Sequence, residues 1–422
     1  MIKRLQPKSE FSRNVLTLMT GTTIAQAIPI AISPILTRLY SPEDFGLLAL
    51  FVALTTTLSS IANGKYEIAI MLPEKDEDAI NIAALGLLIA LSFSIVLLLP
   101  VIFFNTEISE SLGSDSIGFW LYFSPFVVLI MGLYNVLNYL NNRKKLYTDL
   151  AKANVYRSTA GAAVQLIVGF LKEGVSGLIT GQIVSAVVAN AKLAKNTTLN
   201  YKLKNINYKK IKILGKQYID FPKYTMWATL ANSLSQNLVS VFIPIVYSMS
   251  TLGLYSLVQR VLGVPASLIG GAIGQVFHQE VSREKELSGA GVKAFNSTIK
   301  KLLLIAIPSF LLMYLLIEDV FIIVFGENWQ LAGEYARILI PLFFIRFVIG
   351  TVSVMNSVFL KNKNGLIFQM SLMTMSLITL YISNIFDLSA KAFFELLTSL
   401  LFLTYMLFGF YLNRLKYGVE NN

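Results

Sequence analysis

The chain alternates between long apolar runs and short hydrophilic segments. Each run has about the 20 residues that a helix needs to cross a hydrocarbon core of roughly 30 Å. The pattern predicts twelve membrane-spanning helices and therefore an all-α polytopic membrane protein. The predicted spans lie near residues 14–37, 44–63, 79–104, 117–140, 148–171, 175–194, 224–247, 251–277, 298–317, 334–360, 365–386 and 390–412.

Composition supports a membrane protein. Apolar residues make up 55% of the chain and charged residues only 14%, whereas a soluble domain carries roughly 25% charged residues. A basic N-terminal segment (Lys3, Arg4, Lys8, Arg13) precedes the first apolar run without a small-residue cleavage site, which favours a retained helix over a signal peptide. The absence of cysteine excludes disulfides, thiolate metal sites and cysteine nucleophiles.

The distribution of basic residues predicts the orientation of the spans. If the N-terminus is inside, the predicted inside segments and adjoining helix ends hold 27 of the 35 lysines and arginines, and the outside loops hold three. Losing one span would invert every later loop, so this asymmetry supports twelve spans with both termini cytoplasmic. The net charge of +11 is then explained by topology and contact with anionic membrane lipids, and we expect no nucleic-acid partner.

A basic hydrophilic segment divides the chain in the middle. Residues 195–223 form a predicted solvated linker on the cytoplasmic leaflet, between an N-terminal lobe (1–194) and a C-terminal lobe (224–422) of six helices each. A shift of 207 residues superposes Tyr40-Ser41 on Tyr247-Ser248 and Gly46-Leu47 on Gly253-Leu254. Because six spans separate the two copies, they are expected to share one orientation in the membrane, as a parallel repeat does.

Four motifs that imitate chemistry have simpler explanations. Residues 41–44 (SPED) are typical of a helix cap rather than of an acidic catalytic loop. Residues 289–291 (GAG) lack the βαβ context of a dinucleotide site, and the glycines of 270–274 are typical of close helix packing. His278 is the only histidine and is expected to be interfacial. The sequence therefore predicts no catalytic residues, no cofactor and no metal site, and we expect the protein not to be an enzyme.

Three arginines lie deep in the predicted spans. Arg157, Arg260 and Arg346 are about nine or more residues from a span end, where an arginine costs roughly 2.5–3.5 kcal/mol on insertion scales. Few carboxylates share that depth, since Glu67, Glu280 and Glu395 all lie near span ends. Arginines without carboxylates at the same depth indicate a cavity for an anionic substrate, with Arg38 at the mouth of the first helix. The alternative is that these arginines snorkel or bind backbone carbonyls.

Polar positions and prolines also favour a cavity. They recur on one face of the first and seventh spans, and prolines in the first and eighth spans predict kinks. Kinked, polar-faced helices at matching positions in two halves indicate lobes that rock about a central site. The residues concerned are Thr22, Gln26, Ser33, Thr37, Asn232, Gln236, Ser240, Pro29, Pro34 and Pro265.

Several segments resemble one known family. Taken together they are similar to signatures of bacterial polysaccharide flippases, the Wzx-like oligosaccharide-lipid translocases, whose superfamily includes the MATE multidrug exporters. The resemblance covers most of the chain. The segments are residues 36–46 (LTRLYSPEDFG), 221–222 (FP), 253–257 (GLYSL), 259–265 (QRVLGVP), 270–277 (GGAIGQVF) and 325–329 (FGENW).

The resemblance implies a MATE-like fold of two six-helix lobes in the bacterial inner membrane. It implies that the protein moves undecaprenyl-diphosphate-linked oligosaccharides from the cytoplasmic to the periplasmic leaflet, for O-antigen or capsule synthesis. The diphosphate would be bound by Arg38, Arg157, Arg260 and Arg346. Alternating access, coupling to a proton or sodium gradient and contact with polysaccharide-assembly proteins are further implications. The alternatives are a cation-coupled multidrug antiporter of the same fold and a polysaccharide polymerase or ligase.

Overall fold

The computed structural model describes residues 10–418, with side chains from residue 17 onward. Every regular element within these residues is helical, which confirms the all-α fold class. Each of the twelve predicted spans coincides with a long helix or with helices in direct succession. Three of the basic N-terminal residues, Lys3, Arg4 and Lys8, and the side chain of Arg13 lie outside the described part.

The chain divides into two compact units, residues 1–245 and 246–422. Its described residues, from residue 10 onward, form eleven α-helices in the first unit, α1 to α11, and a π-helical turn at Phe221–Thr225. In chain order the α-helices are Glu10–Leu39, Pro42–Ser59, Tyr66–Ala69, Asp76–Phe103, Asn105–Ser111, Gly118–Leu121, Ser124–Arg143, Tyr147–Phe170, Val175–Asn200, Tyr208–Gln217 and Met226–Val246.

Up to residue 418, where the described part ends, the second unit contains seven α-helices, α12 to α18. A π-helical turn at Gln259–Gly263 joins the first two of them. In chain order the α-helices are Met249–Val258, Val264–Ser288, Val292–Phe325, Gln330–Val352, Met355–Val358, Asn362–Ile385 and Ala390–Leu415. The boundary between the compact units falls after α11, one helix later than the predicted linker, and the division into lobes of six spans stays a prediction.

Most of these helices are apolar enough to cross a membrane. Within residues 10–418, nine helical segments have the necessary length and hydropathy, and a tenth is formed if Asp115–Leu121 and Ser124–Arg143, bent by 51°, count as one span. This establishes a multi-pass membrane protein. The remaining two predicted spans correspond to α2 and α8, which carry charged residues. The count of twelve and the cytoplasmic termini therefore stay predictions.

Capping at Ser41 explains where α2 begins. The Ser41 hydroxyl accepts a hydrogen bond from the Asp44 N–H (3.2 Å), and the Ser41 N–H donates to the Asp44 carboxylate (2.9 Å). This capping box confirms the structural interpretation of the SPED motif. In the second unit, Ser248 caps α12 by accepting from the Thr251 N–H at 3.1 Å. The two copies of the Tyr-Ser motif thus start a helix in the same way.

Helices α1, α8 and α9 pack closely in the first unit. A Cβ at Gly21 of α1 would overlap Ala151 of α8, and Tyr40, which follows α1, contacts Gly169 at the other end of α8. The beginning of α1 thus contacts the beginning of α8, and the end of α1 contacts the end of α8, so the two helices run parallel. This agrees with the predicted topology, in which the first and fifth spans share a direction.

The predicted linker is partly docked rather than fully solvated. Its helix α10 packs on α4 through the buried side chains of Ile211 and Leu214. Asn81 of α4 donates to the Asn205 carbonyl at 3.0 Å and accepts from the Asn207 N–H at 2.7 Å. The lysines of the opposite side of α10 remain exposed, so the linker has one face on the protein and one basic face.

In the second unit, α15 contacts α12, α13, α14 and α18. A Cβ at Gly270 would lie 2.8 Å from the Thr351 hydroxyl oxygen, and one at Gly274 would lie 3.3 Å from the Thr351 carbonyl oxygen. The predicted close packing at residues 270–274 is therefore confirmed at these two glycines. Gly271 faces open space, with no atom of the described residues within 4 Å of a Cβ there.

Candidate functional site

Arg38 lies in the last turn of α1 and is exposed. Its guanidinium donates a hydrogen bond to the carbonyl oxygen of Pro34 at 2.9 Å. A cation in this position also interacts favourably with the carbonyl end of the helix dipole. Arg38 therefore sits at the mouth of the first helix, as predicted, with its charge near the surface.

Arg157 occupies the middle of α8 and is half-buried. Its guanidinium lies over the ring of Tyr134, 5.2 Å from the centroid, and contacts the sulfur of Met131 at 3.7 Å. The Tyr134 hydroxyl donates to the Asn154 side-chain oxygen at 2.9 Å. These contacts are aromatic and thioether contacts rather than ion pairs, so they orient the guanidinium without neutralising its charge.

Arg260 lies in the π-helical turn between α12 and α13 and is half-buried. Pro265, two residues after the turn, has no N–H and cannot complete an α-helical hydrogen bond to the carbonyl four residues earlier. The adjacent Gln259 side chain donates to the hydroxyl of Tyr255, whose ring stacks on Phe394 with centroids 5.4 Å apart. π-Helical turns inside α-helices occur frequently at functional sites.

Arg346 is exposed on α15. One turn earlier on the same helix, the ring of Phe343 lies 3.3 Å from where a Cβ at Gly263 would be. The π-helical turn that carries Arg260 therefore packs beside the segment of α15 that carries Arg346.

The structure brings two of the four predicted arginines onto neighbouring segments. These are Arg260 and Arg346, both in the second unit. In the first unit, Tyr40 meets Gln165 of α8, and Arg157 lies eight residues earlier on that helix, or about 12 Å along its axis. Arg38 and Arg157 thus belong to the same pair of helices but lie at different levels.

The predicted polar face of α1 is partly satisfied by the helix itself. The buried hydroxyl of Ser33 donates to the Pro29 carbonyl at 2.6 Å, and that of Thr37 donates to the Pro34 carbonyl at 3.1 Å. On α11, by contrast, Asn232 and Gln236 are exposed, and the Gln236 amide donates to the Asn232 side-chain oxygen at 3.5 Å. The polar groups that remain available to a ligand are therefore more numerous on α11.

One carboxylate is buried more deeply than its position near a span end predicts. Glu67, in the short helix α3, is only 2% exposed. One carboxylate oxygen is 3.2 Å from the Lys65 ammonium, and the other is buried without a hydrogen-bond partner in the described structure. Burial raises the pKa of the Glu67 carboxyl, and the charge of Lys65 opposes this shift. Its position outside the apolar runs gave no sign of this burial.

No metal site is apparent in the described part of the chain, where no group of three or more His, Cys, Asp or Glu side chains is arranged to hold an ion. The His278 side chain is exposed. The arrangement within each unit is instead one of guanidinium groups on apolar helices, some held by aromatic side chains. Such groups can bind the oxygens of phosphates or carboxylates through bidentate hydrogen bonds.

A family model described as "Polysaccharide biosynthesis protein" matches residues 35–333. No curated protein matches the sequence.

Three solved structures with a similar fold are transporters. The fold is similar to that of the lipid II flippase MurJ in an inward closed conformation (TM-score 0.72, 12% identity, 94% of this chain and 87% of that chain). It is also similar to an inward-facing MATE family multidrug resistance transporter of the MOP superfamily (TM-score 0.63, 13% identity, 94% of each chain). The third similar structure is a MOP superfamily transporter from Pyrococcus furiosus (TM-score 0.60, 16% identity, 95% of each chain). Its binding pocket is described as having reverse polarity. At these identities the likeness concerns the fold, which confirms the predicted MATE-like architecture.

Proposed function

This chain belongs to the polysaccharide biosynthesis protein family, and from that premise we propose that it is a flippase for lipid-linked oligosaccharides. The substrate would be an undecaprenyl-diphosphate-linked repeat unit, moved from the cytoplasmic to the periplasmic leaflet of the bacterial inner membrane. The product would supply surface polysaccharide synthesis, such as that of O-antigen or capsule. The family match over residues 35–333 is the observation that carries the proposal.

The fold supports a transport role. The chain is a multi-pass helical membrane protein, and the MurJ structure shows a similar fold in a protein that is itself named a lipid flippase. Transport by alternating access requires two units that can move against each other, and the chain divides into two compact units. Coupling to a proton or sodium gradient would give the movement its direction.

The arginines support an anionic substrate. A diphosphate must leave water to cross the bilayer, and it needs cations along its path. Arg38, Arg157, Arg260 and Arg346 would supply them, two from each unit. Arg157 rests on an aromatic ring and Arg38 on a backbone carbonyl. Neither contact is an ion pair, so it does not compete with phosphate oxygens through an opposite charge.

A multidrug antiporter is the second candidate, because a MATE transporter has a similar fold. Glu67 gives the first unit one deeply buried carboxylate, but its contact with Lys65 leaves little room for a coupling cation. A polysaccharide polymerase or ligase is less consistent with the sequence, since the predicted outside loops are at most about 17 residues long and such an enzyme needs a sizeable catalytic loop.

The decisive experiment is complementation of a strain that lacks its own oligosaccharide flippase. We expect the wild-type chain to restore surface polysaccharide and to make the lipid-linked sugar accessible to a periplasmic label in spheroplasts. Efflux of cationic dyes should not change. Dye efflux without sugar translocation, at a normal level of membrane-inserted protein, would contradict the proposal and favour the antiporter.

A further inference from the structure

The second unit contains a polar cavity of about 380 Å³ between α14, α15 and α18. It lies near the end of α14 and the beginnings of α15 and α18, which is the side predicted to be periplasmic. Each helix presents one stripe of residues at helical spacing to the cavity. Five charged side chains line it: Glu318, Glu334, Arg337, Lys391 and Glu395.

Two of the three carboxylates are already paired. The Arg337 guanidinium is 3.1 Å from the Glu318 carboxylate and lies over the ring of Tyr314, 4.9 Å from the centroid. The Lys391 ammonium is 3.5 Å from the Glu334 carboxylate. Both cations are thus matched by an acid, and Glu395 is the third acid. The cavity therefore carries one net negative charge.

Glu395 has an unsatisfied polar neighbour. Thr398 follows it by three residues on α18 and also lines the cavity, so the two side chains lie on the same face of the helix. Thr398 is only 7% exposed, and its hydroxyl has no hydrogen-bond partner in the described structure. A buried hydroxyl without a partner costs free energy. A ligand that donated a hydrogen bond to it would remove that cost.

We propose that this cavity binds an organic compound carrying one primary ammonium group, held by the Glu395 carboxylate and the Thr398 hydroxyl. An ammonium group has three N–H donors and a single positive charge, which match these two acceptors and the excess negative charge. The volume is within the range of small-molecule sites and is far larger than a bare ion requires. The two ion pairs in the lining suit hydroxyl or phosphate groups on the rest of the ligand.

Two sources can supply such a group. One is a water-soluble amino sugar, and the other is the ethanolamine headgroup of a phospholipid in the outer leaflet. The shared chemistry is the primary ammonium, and this inference does not depend on the transported substrate.

Binding can be measured as the thermal stabilisation of the purified full-length protein in detergent at pH 7. Glucosamine and ethanolamine are the soluble probes, and N-acetylglucosamine is the uncharged analogue. We expect stabilisation by at least one amine and none by the analogue. Because Glu395 is exposed, Glu395→Gln should fold normally and should weaken amine binding roughly tenfold, the effect of losing one charge-assisted hydrogen bond.

Matched variants and lipids complete the test. Glu107→Gln changes an exposed carboxylate of the first unit and should leave the response unchanged, whereas Thr398→Val should weaken it. In nanodiscs, stabilisation by phosphatidylethanolamine over phosphatidylglycerol that disappears in Glu395→Gln would identify the headgroup as the source. Equal responses of the wild type and Glu395→Gln to both amines and to phosphatidylethanolamine would overturn the proposal, as would equal binding of the uncharged analogue.

Discussion

The hydroxyl of Tyr40 donates a hydrogen bond to the carbonyl oxygen of Gln165 at 2.6 Å. Tyr40 is 3% exposed, and its ring lies where Cβ atoms at Gly169 and Gly177 would have to be. The tyrosine of the LTRLYSPEDFG segment therefore fixes the end of α1 against α8 and α9. The part of this segment that follows it, SPED, caps α2, so Tyr40 and SPED act through structure, whereas Arg38 of the same segment is a proposed phosphate ligand.

The first prediction concerns this contact. Gly177→Ala should destabilise the protein by about 1–3 kcal/mol, because the added methyl group overlaps the Tyr40 hydroxyl. Tyr40→Phe alone should cost about 1 kcal/mol through the lost hydrogen bond. The double variant should be less damaged than the sum of the two, since the phenylalanine removes the overlapping oxygen. Thermal unfolding in detergent measures all three.

A control for that prediction is Gly350→Ala. No atom of the described residues lies within 4 Å of a Cβ at Gly350, so this change in another helix should leave stability within about 0.5 kcal/mol. Strictly additive effects at positions 40 and 177 would contradict the overlap.

Much of the fold could be predicted because its causes are local. The bilayer fixes the length of each apolar run, and Ser41 and Ser248 need only the next three residues to cap a helix. The docking of the linker could not be predicted, because Asn81 binds a carbonyl 124 residues away. The polar cavity between α14, α15 and α18 could not be predicted for the same reason, since it needs Glu395 beside residues of two other helices.

For the candidate site, the sequence identified deep arginines but not their surroundings. The π-helical turn at Gln259–Gly263 depends on packing against α15 as well as on Pro265, and no local pattern specifies it. The depth of Arg157 followed from its distance to the span ends, whereas its position over Tyr134 depends on how α7 and α8 pack.

The second prediction tests the arginines as ligands of the diphosphate. Alanine or glutamine at Arg38, Arg157, Arg260 or Arg346 should lower sugar translocation roughly tenfold or more, because one charge-assisted contact to phosphate is lost. Lysine should retain part of the activity. Arg260 is expected to be the most sensitive position. Surface polysaccharide in the complemented strain is measured together with the amount of membrane-inserted protein.

The amount of membrane-inserted protein distinguishes a phosphate-binding role of these arginines from a structural role. Removing a charge from the interior of a span relieves an insertion cost, so neutral variants should be inserted normally. Arg283→Ala, an exposed change on the predicted cytoplasmic side, is the matched control and should transport normally. Well-inserted alanine variants at all four positions that restore full polysaccharide would refute the cationic path.

The third prediction separates the two faces of the linker. Lys202, Lys204 and Lys209 are exposed, so replacing all three with glutamine should leave polysaccharide near normal. Asn81→Ala removes two hydrogen bonds to the linker and should destabilise the first unit by about 1–2 kcal/mol. Limited proteolysis should then cut residues 195–223 faster. Loss of polymer in the lysine variant at a normal protein level would instead give the basic face a direct role.

The fourth prediction concerns topology. Reporter fusions after Ser114 and Met249 should be periplasmic, and fusions after Lys204 and Lys285 should be cytoplasmic. The reason is that the basic residues between the twelve predicted spans are concentrated on the predicted cytoplasmic side. A periplasmic reporter at Lys204 would be incompatible with six spans before the linker.

The fifth prediction follows from the buried carboxyl of Glu67. Its pKa is raised above the ordinary value of 4.5 by burial, so the native state holds this proton more tightly than the unfolded state. Stability should therefore fall as the pH rises from 4.5 through the raised pKa. Glu67→Gln should lose that slope, and Glu107→Gln should keep it. If the pH dependence of stability is the same in both variants and in the wild type, it arises from titratable groups other than Glu67.

The π-helical turn at Gln259–Gly263 makes the length of this segment as important as its composition. It inserts an extra residue into an otherwise helical path, and one residue corresponds to about 100° of rotation in an α-helix. Gly270, which follows the turn, faces Thr351 of α15. A one-residue deletion within the turn would allow a continuous α-helix and would rotate Gly270 away from α15, carrying a larger side chain into its place. Homologous chains should therefore accept substitutions here far more readily than insertions or deletions.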